Sequence, residues 1–188
     1  PVEYDSAAFF RAMKQRVEVK TSMIPPQRFA EYWEPLLQSE LDILFLSASS
    51  GISSSYQSAT IAAQQLEESY PERKIRVVDT LSSTLGEGLL VLRAFALREK
   101  GMSLDETADT ILSLRPYIAH YFTVDDLLYI SRGGRVSGAK ALLGTVLGIK
   151  PLLKGDEHGH IVMNGKVRGR AASIKALAEK FDKIARYP

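Results

Sequence analysis

The chain has 188 residues, of which 45% are hydrophobic and 24% charged, a composition that is typical of folded globular proteins and excludes a disordered, collagen-like or coiled-coil chain. It contains no cysteine, which excludes a disulfide framework and a cysteine-ligated metal centre and favours a cytoplasmic location. The net charge of +2 conceals a basic C-terminal third, because residues 132–188 carry 12 Lys and Arg against 4 Asp and Glu. Such a surface fits a solvated face, an acidic or phosphate-bearing partner, or nucleic acid.

Two amphipathic helices are predicted at the start of the chain. Ser6 is predicted to cap a helix over residues 6–17, in which apolar side chains recur at helical spacing. A second helix is predicted to open at Pro25-Pro26, because proline suits the first turn of a helix. Pro35 lacks the N–H that a helix interior needs, so this helix is expected to kink or end soon after it.

Two strand-loop-helix units follow. Residues 41–46 form a nearly continuous apolar run, which predicts a strand covered on both faces. A serine-rich loop over residues 47–55 and a predicted helix over residues 56–70 complete the first unit. The second unit joins a strand over residues 74–78 to a helix over residues 86–100. Two successive units of this kind predict a layered α/β domain with a parallel sheet.

The rest of the chain predicts a smaller α+β domain. The domain boundary is predicted near residues 115–120, which gives an α/β domain over residues 1–117 and a basic α+β domain over residues 118–188. The predicted elements, in chain order, are a capping-box helix at 103–114, a β-rich segment at 117–124, a helix at 139–147, a hairpin of 149–153 with 161–168, and a last amphipathic helix at 174–184.

The serine-rich loop over residues 47–55 is the strongest chemical signal. In open α/β sheets, ligands bind beyond the carboxyl ends of the strands, where loop hydroxyls and helix N-terminal amides converge on anions. The loop is predicted to stand at such a place. The alternative is structural: Ser53, Ser54 or Ser55 caps the following helix, and the other serines form a polar turn.

Histidine chemistry receives less support. A hydrolytic serine needs a partner base, but the chain has no Gly-x-Ser-x-Gly elbow, and none of His120, His158 and His160 stands at a spacing that marks it as that base. His158 and His160 could clip a metal ion from one side of a strand, but no third ligand stands nearby, so a solvated turn is the simpler interpretation. The chain also lacks a nucleotide-binding glycine motif, so neither a metal nor a cofactor is expected.

Arg132-Gly133-Gly134-Arg135 places two guanidinium groups around glycines that permit a close approach of the backbone to a ligand or partner. A guanidinium group suits bidentate contact with carboxylate or phosphate. The alternative is a turn between two helices that carries surface arginines.

Five separate motifs stand in an order and at a spacing that carry a family resemblance. They are Thr21-Ser22, Ser49-Ser50-Gly51-Ile52-Ser53-Ser54-Ser55-Tyr56-Gln57-Ser58-Ala59, Val78-Asp79-Thr80, Gly133-Gly134-Arg135-Val136-Ser137 and Lys166-Val167-Arg168. With these motifs the chain resembles the DegV family over almost its whole length. Several motifs in register are more specific than any one of them.

This resemblance implies a two-domain α/β fold that binds a long-chain fatty acid between the domains. In Gram-positive bacteria, such proteins act as the lipid-binding subunit of a fatty acid kinase, and they hold the acyl chain while a separate ATP-dependent partner phosphorylates its carboxylate. The resemblance therefore implies a carrier and not an enzyme, without a nucleic acid partner. It leaves transient contact with a membrane open.

The resemblance also assigns residues to the site. By family position, the implied ligand-binding residues are Thr21, Ser22, Ser53 and Ser54, with Thr21 and Ser53 hydrogen-bonded to the carboxylate. Arg135 and Arg168 match basic positions that are associated with the mouth of the site and with docking of the kinase. Candidate lining residues for the acyl chain, which core packing explains equally well, are Ile52, Leu89, Leu90, Leu143 and Ile149.

The chain departs from the family pattern at several places. Ser54 stands where the family usually has glycine, and Ala48 interrupts the usual apolar approach to the paired serines. The start, Pro1-Val2-Glu3-Tyr4-Asp5, has neither a methionine nor an apolar leader. The family's N-terminal strand and its His- and Gly-rich C-terminal loop have no counterpart. The chain is therefore expected to be an interior segment of a longer protein, with both domains incomplete.

Two other functions stay open on the residues alone. Ser53 could serve a phosphotransferase or hydrolase that acts on acyl or phosphate substrates. The basic C-terminal third could belong to a regulator that binds protein or nucleic acid, although it carries no recognisable nucleic-acid-binding motif.

Overall fold

The computed structural model describes residues 5–15, 17–136 and 148–185. Its helices are α1 (Ser6–Lys14), α2 (Pro26–Gln38), α3 (Ser55–Ser69), α4 (Thr84–Glu99), α5 (Leu104–Leu114), α6 (Leu127–Arg132) and α7 (Arg170–Ile184). Its strands are β1 (Ile43–Ser47), β2 (Ile75–Asp79), β3 (Tyr121–Thr123), β4 (Ile149–Gly155) and β5 (Ile161–Arg168). The helix predicted at 139–147 lies outside the described residues. Within them, no helix has the length and apolar character that crossing a bilayer requires.

The fold is mixed α/β, with a parallel sheet and a separate antiparallel sheet. Strands β1 and β2 pair in parallel from Ile43 with Ile75 to Ser47 with Asp79, and helix α3 lies between them in the chain. The predicted parallel sheet is therefore confirmed.

Helices cover both faces of the parallel sheet. Ile43 and Ile75 are buried with α2 and α3 in one apolar cluster. Val78 is buried with α4 and α5 in a second cluster, against which Leu44 and Leu46 pack. Because successive side chains of a strand point to opposite faces, an apolar run was the correct signal for a strand buried on both sides.

Two predicted helix ends are wrong. Asp5, and not Ser6, caps α1, because its carboxylate accepts a hydrogen bond of 2.9 Å from the N–H of Ala8. Helix α1 also ends at Lys14 and not at residue 17. Helix α2 ends at Gln38, three residues after Pro35, as expected. The side chain of Leu37 is almost fully buried, and this packing holds the last turn although proline cannot donate the usual hydrogen bond.

The antiparallel sheet has the strand order β3-β4-β5. The predicted hairpin is confirmed: β4 and β5 pair from Ile149 with Arg168 to Gly155 with Ile161, with an irregularity between Leu152 and Leu153. Leu153 is fully buried in a third apolar cluster beneath this sheet. Helix α5 also carries the predicted capping box at Ser103.

Candidate ligand-binding site

The serine-rich loop lies beyond the carboxyl end of β1 and leads into the first turn of α3. The N–H groups of Ile52 and Ser53 both donate to the carbonyl oxygen of Ser49 at 3.1 Å, which folds the loop into a tight turn. The Ser53 hydroxyl accepts a hydrogen bond from the N–H of Ser55 and donates one to its hydroxyl, at 3.2 and 3.0 Å. Ser54 stands at the N-cap of α3 without a capping hydrogen bond from its side chain.

A cavity of about 630 Å³ opens beside this turn. The segment before α2 and the serine-rich loop both contribute hydroxyl groups to its wall, and the N–H of Ile24 donates to the Ser55 hydroxyl at 3.4 Å where the two segments meet. The polar wall consists of Thr21, Ser22, Ser50, Ser53, Ser54 and Arg135, and the apolar wall contains Met23, Ile52 and Ile161. The structure thus brings together Thr21, Ser22, Ser53 and Ser54, which the sequence singled out at two distant places.

The turn between β4 and β5 packs against the serine-rich loop. The Ser49 hydroxyl, almost fully buried, donates to the carbonyl oxygen of Gly159 at 2.8 Å. A Cβ atom added at Gly51 would lie only 2.8 Å from backbone atoms of His158 and Gly159, and one added at Gly159 would lie 2.0 Å from the Ser49 hydroxyl oxygen. Gly159 also has φ +75, which favours glycine. We call this contact between the loop and the turn the seam.

Arg135 reaches across to the serine-rich loop from the other side of the cavity. Its Nε donates to the carbonyl oxygen of Ile52 at 3.3 Å, and its terminal nitrogen donates to the carbonyl oxygen of Gly133. The neighbouring Val136 forms an isolated bridge with Ile161 at the start of β5. One guanidinium group of the Arg132-Gly133-Gly134-Arg135 turn therefore lies in the wall of the cavity.

Arg168 lies elsewhere. It is exposed at the end of β5, seven residues after Ile161, which corresponds to roughly 23 Å at the rise of an extended strand. The structure does not bring Arg168 together with Arg135 and the hydroxyl groups.

Comparison with known proteins assigns the chain to a family. The model of a family described as "Uncharacterised protein, DegV family" matches residues 1–187. The chain belongs to the DegV family. It is 41% identical over 176 residues to the DegV domain-containing protein YteA of Lactococcus lactis, covering 94% of this chain and 61% of that protein.

Solved structures of DegV family proteins share the fold. A structure reporting fatty acid binding of a family member from Thermus thermophilus superposes with a TM-score of 0.80 at 32% identity, covering 97% of this chain and 63% of that one. The fatty-acid-binding member SAG1342 from Streptococcus agalactiae superposes with a TM-score of 0.82 at 29% identity, covering 96% and 63%. The present chain spans less than two thirds of the length of each of these relatives.

The apolar positions that the sequence offered for an acyl chain have different environments in this DegV family member. Ile52 lines the cavity, whereas Leu90 is buried in the core and Leu89 is exposed on α4. Ile149 lies at the start of β4, opposite Arg168 in the register. Leu143 falls outside the described residues.

The three histidines make their hydrogen bonds with residues other than Ser53. His120 is half-buried beside Thr84, with 3.5 Å between its Nε2 and the Thr84 hydroxyl, and burial lowers its pKa below the ordinary value. His158 and His160 belong to the β4–β5 turn, where their N–H groups donate to the Asp156 carboxylate at 3.0 and 2.8 Å. Among the described residues, no histidine is hydrogen-bonded to Ser53, and no three His, Asp or Glu side chains form a metal-binding group.

Asp156 organises that turn. Burial of the Asp156 carboxyl group acts to raise its pKa. The pKa nevertheless lies below the ordinary value, because the N–H groups of His160 and His158 stabilise the charged carboxylate. The N–H of Gly159 donates to the carbonyl oxygen of Asp156 at 3.1 Å. The turn is therefore held in the shape that presents the Gly159 carbonyl oxygen to Ser49.

A second cavity, of about 610 Å³, was not anticipated from the sequence. It is lined by consecutive residues of β1, from Ile43 to Leu46, together with Leu36 from α2 and Phe95 from α4. Because consecutive residues of a strand point to opposite faces, a cavity that touches all of them follows the edge of the strand. We call it the β1 groove; its lining is mostly apolar.

Proposed function

We propose that this chain binds a long-chain fatty acid, with the carboxylate in the serine-lined cavity and the acyl chain between an N-terminal unit (residues 1–117) and a C-terminal unit (residues 118–188). The observation that carries the proposal is the convergence of Thr21 and Ser53 hydroxyls, from two distant segments, on one cavity at the start of a helix. The fatty-acid-binding DegV proteins of Thermus thermophilus and Streptococcus agalactiae share this fold and support the choice of ligand.

The cavity suits a carboxylate because it offers hydrogen-bond donors together with a positive field. A carboxylate that leaves water needs compensating hydrogen bonds, which the Thr21 hydroxyl can donate, as can the Ser53 hydroxyl when its O–H turns from Ser55 to the ligand. The N-terminus of the 15-residue helix α3 adds backbone N–H groups and the positive end of the helix dipole. Arg135 contributes a formal positive charge to the same wall.

An acyl chain supplies the larger part of the binding free energy. Each methylene group that leaves water contributes about 0.8 kcal/mol. Met23, Ile52 and Ile161 form the apolar side of the cavity and come from both units of the chain. A chain that leaves the carboxylate site along these residues runs between the units.

The same arrangement suits presentation of the carboxylate to a separate ATP-dependent kinase. Hydroxyl groups hold a carboxylate without locking it in a salt bridge, so an oxygen atom stays available for phosphoryl transfer, whose charge arginine and metal stabilise. In this function Arg135, which lines the cavity, acts beside the carboxylate, and the exposed Arg168 is a docking residue for the kinase. In this function the chain is a carrier in the cytoplasm.

Extraction and titration test the binding. The purified protein, denatured and extracted, is expected to release fatty acid that mass spectrometry detects. Loss of one hydrogen bond to a carboxylate costs about 1.5 to 3 kcal/mol, so Ser53→Ala is expected to weaken binding of an added fatty acid roughly 10- to 100-fold. Ser113→Ala, which removes an exposed hydroxyl on α5, serves as the control. A clean extract together with no binding on titration contradicts the proposal.

An assay with ATP separates the carrier from an enzyme. The fatty-acid-loaded protein is expected to yield acyl phosphate only when a fatty acid kinase is added. Acyl phosphate formed by the protein and ATP alone, and lost in Ser53→Ala, would instead favour a serine-dependent phosphotransferase. The hydrogen bonds of Ser53 to Ser55, without a histidine partner among the described residues, favour the carrier.

A further inference from the structure

The serine-rich loop is held by the loop that follows β2. Asp79, the last residue of β2, is almost fully buried, and one of its carboxylate oxygens accepts two backbone hydrogen bonds. The donors are the N–H of Ser50 at 3.2 Å and the N–H of Leu81 at 3.0 Å. A single oxygen atom therefore ties the two loops at the carboxyl edge of the sheet together.

Thr80 adds a second set of bonds between the same loops. Its hydroxyl, in a side chain that is 1% exposed, donates to the carbonyl oxygen of Ser47 at 2.7 Å and accepts from the N–H of Ser82 at 3.2 Å. The N–H of Ser49 in turn donates to the carbonyl oxygen of Ser82 at 2.7 Å. Buried polar groups that satisfy one another in this way rigidify a loop.

The loop that follows β2 contains a strained backbone conformation, which neighbouring contacts must stabilise. Leu81 has φ +51, a left-handed conformation that costs a non-glycine residue about 1 kcal/mol or more. The Asp79 carboxylate accepts a hydrogen bond from the N–H of this same residue. Strain of this kind persists where the surrounding contacts fix the conformation, as they do around a binding site.

We propose that Asp79 is a positioning residue for the carboxylate site, acting through the backbone of Ser50 on the turn that carries Gly51, Ile52 and Ser53. The inference rests on the proposed function and adds a residue that itself lies outside the cavity wall. Asp79 acts as a hydrogen-bond acceptor and not as a charge, because a negative charge beside an anion site opposes binding of a carboxylate.

The acceptor role and the charge are separable by substitution. Asp79→Asn keeps an oxygen atom that can accept from Ser50 and Leu81, whereas Asp79→Ala removes it. Among the described residues, no side chain and no loop N–H donates a hydrogen bond to the second carboxylate oxygen of Asp79. The NH2 group of an asparagine can therefore replace that oxygen without the loss of such a bond. We expect Asp79→Ala to weaken fatty acid binding about tenfold and Asp79→Asn to bind at least as well as the wild type.

Comparison of a fatty acid with the fatty alcohol of the same length isolates the carboxylate site. The wild type is expected to prefer the acid, and Asp79→Ala is expected to lose most of that preference while its affinity for the alcohol changes less than twofold. Asp42→Ala is the matched control, because Asp42 also accepts a backbone N–H between the two strands, from Lys74 at 2.9 Å, but at the opposite end of the sheet. Its preference is expected to equal that of the wild type.

A second variant, Thr80→Val, provides the test if Asp79→Ala does not fold. Thr80→Val keeps the shape of the side chain and removes the hydroxyl bonds to Ser47 and Ser82, and it is expected to reduce the preference for the acid about threefold. If the wild type binds the acid but Asp79→Ala or Thr80→Val keeps the full preference, the positioning role is wrong and the proposed function stands. If the wild type does not bind the acid, the proposed function itself fails. A weakened Asp79→Asn variant would overturn the acceptor role.

Discussion

Two cavities of nearly equal volume, about 630 and 610 Å³, lie at different places on the parallel sheet. The serine-lined cavity stands beyond the carboxyl end of β1 and takes its wall from residues as far apart in the chain as Thr21 and Ile161, whereas the β1 groove follows an open strand edge and is lined by residues between Leu36 and Thr107. The groove is the more apolar of the two and contains Arg98 with a single hydroxyl group, that of Thr107, whereas the serine-lined cavity places several hydroxyl groups beside Arg135. The two volumes do not distinguish the cavities, and apolar character alone points to the groove, whereas the hydrogen-bond donors that a carboxylate needs point to the serine-lined cavity.

The difference has a structural origin. A groove along a strand edge needs only one strand and the helices above and below it, and Leu36 and Phe95 supply those walls from α2 and α4. The serine-lined cavity needs the seam, in which Gly159 meets Ser49, to bring Arg135 and Ile161 opposite the hydroxyl groups. Its shape is thus coupled to the contact between the serine-rich loop and the β4–β5 turn.

The largest expected effect compares the cavities directly. The double variant Thr21→Val/Ser53→Ala is expected to weaken fatty acid binding at least about 100-fold, because two hydrogen bonds to a charged group are lost. Phe95→Ser, in the wall of the groove where Phe95 is 57% exposed, is expected to change the affinity less than twofold. Calorimetric titration measures both. A reversed ranking would place the ligand in the β1 groove.

The next effect concerns the seam. Gly159→Ala introduces a Cβ atom that lies 2.0 Å from the Ser49 hydroxyl oxygen at a residue with φ +75, and it is expected to lower the free energy of unfolding by about 2 kcal/mol. Gly148→Ala is the matched control, because Gly148 also has a left-handed φ, of +83, but no atom lies within 4 Å of its added Cβ; its effect is expected at about 1 kcal/mol, from the backbone strain alone. Urea denaturation measures both variants. Equal stabilities would mean that the seam is not formed in solution.

A smaller effect separates the two arginines. Arg135→Gln removes the charge from the cavity wall and the hydrogen bond to Ile52, and it is expected to weaken fatty acid binding about fivefold, with less difference at high salt. Arg168→Gln alters an exposed side chain at the other end of β5 and is expected to leave the affinity unchanged. An equal loss in both variants would indicate a long-range charge effect and not a contact with the ligand.

The smallest effect is a pH dependence of the stability, which arises at His120 beside Thr84, the first residue of α4. Burial lowers the pKa of His120 in the folded protein below its ordinary value of 6.5, so the unfolded chain binds more protons between those two values. Stability from this group is present above pH 6.5 and is lost as the pH falls through the folded-state pKa. Burial raises the pKa of Glu87 and acts in the opposite direction. Between pH 7 and pH 5, the melting temperature of the wild type and that of His120→Gln are expected to change with pH at different slopes. Identical slopes would contradict a lowered pKa of His120.

The sequence by itself determined most of the fold. The apolar run at 41–46, the two strand-helix units and the hairpin across residues 155–159 each predicted an element that the structure contains, because local patterning reports which side chains are buried. The end of α2 soon after Pro35 was predicted correctly, and burial of Leu37 holds the last turn. The cap of α1 was misplaced by one residue, since Asp5 and Ser6 are both suitable capping residues.

The site was determined in part. Motif resemblance singled out Thr21, Ser53 and Arg135, which the structure brings to one cavity, but it could not separate Arg135 from Arg168. Only the tertiary structure decided that separation, the seam at Gly159 and the bonds of Asp79 to the serine-rich loop. Each of these depends on contacts between residues far apart in the chain, and local periodicity carries no information on such contacts. The serine-rich loop could be found from residue order, but the shape in which it is held depends on the strands and turns that pack against it.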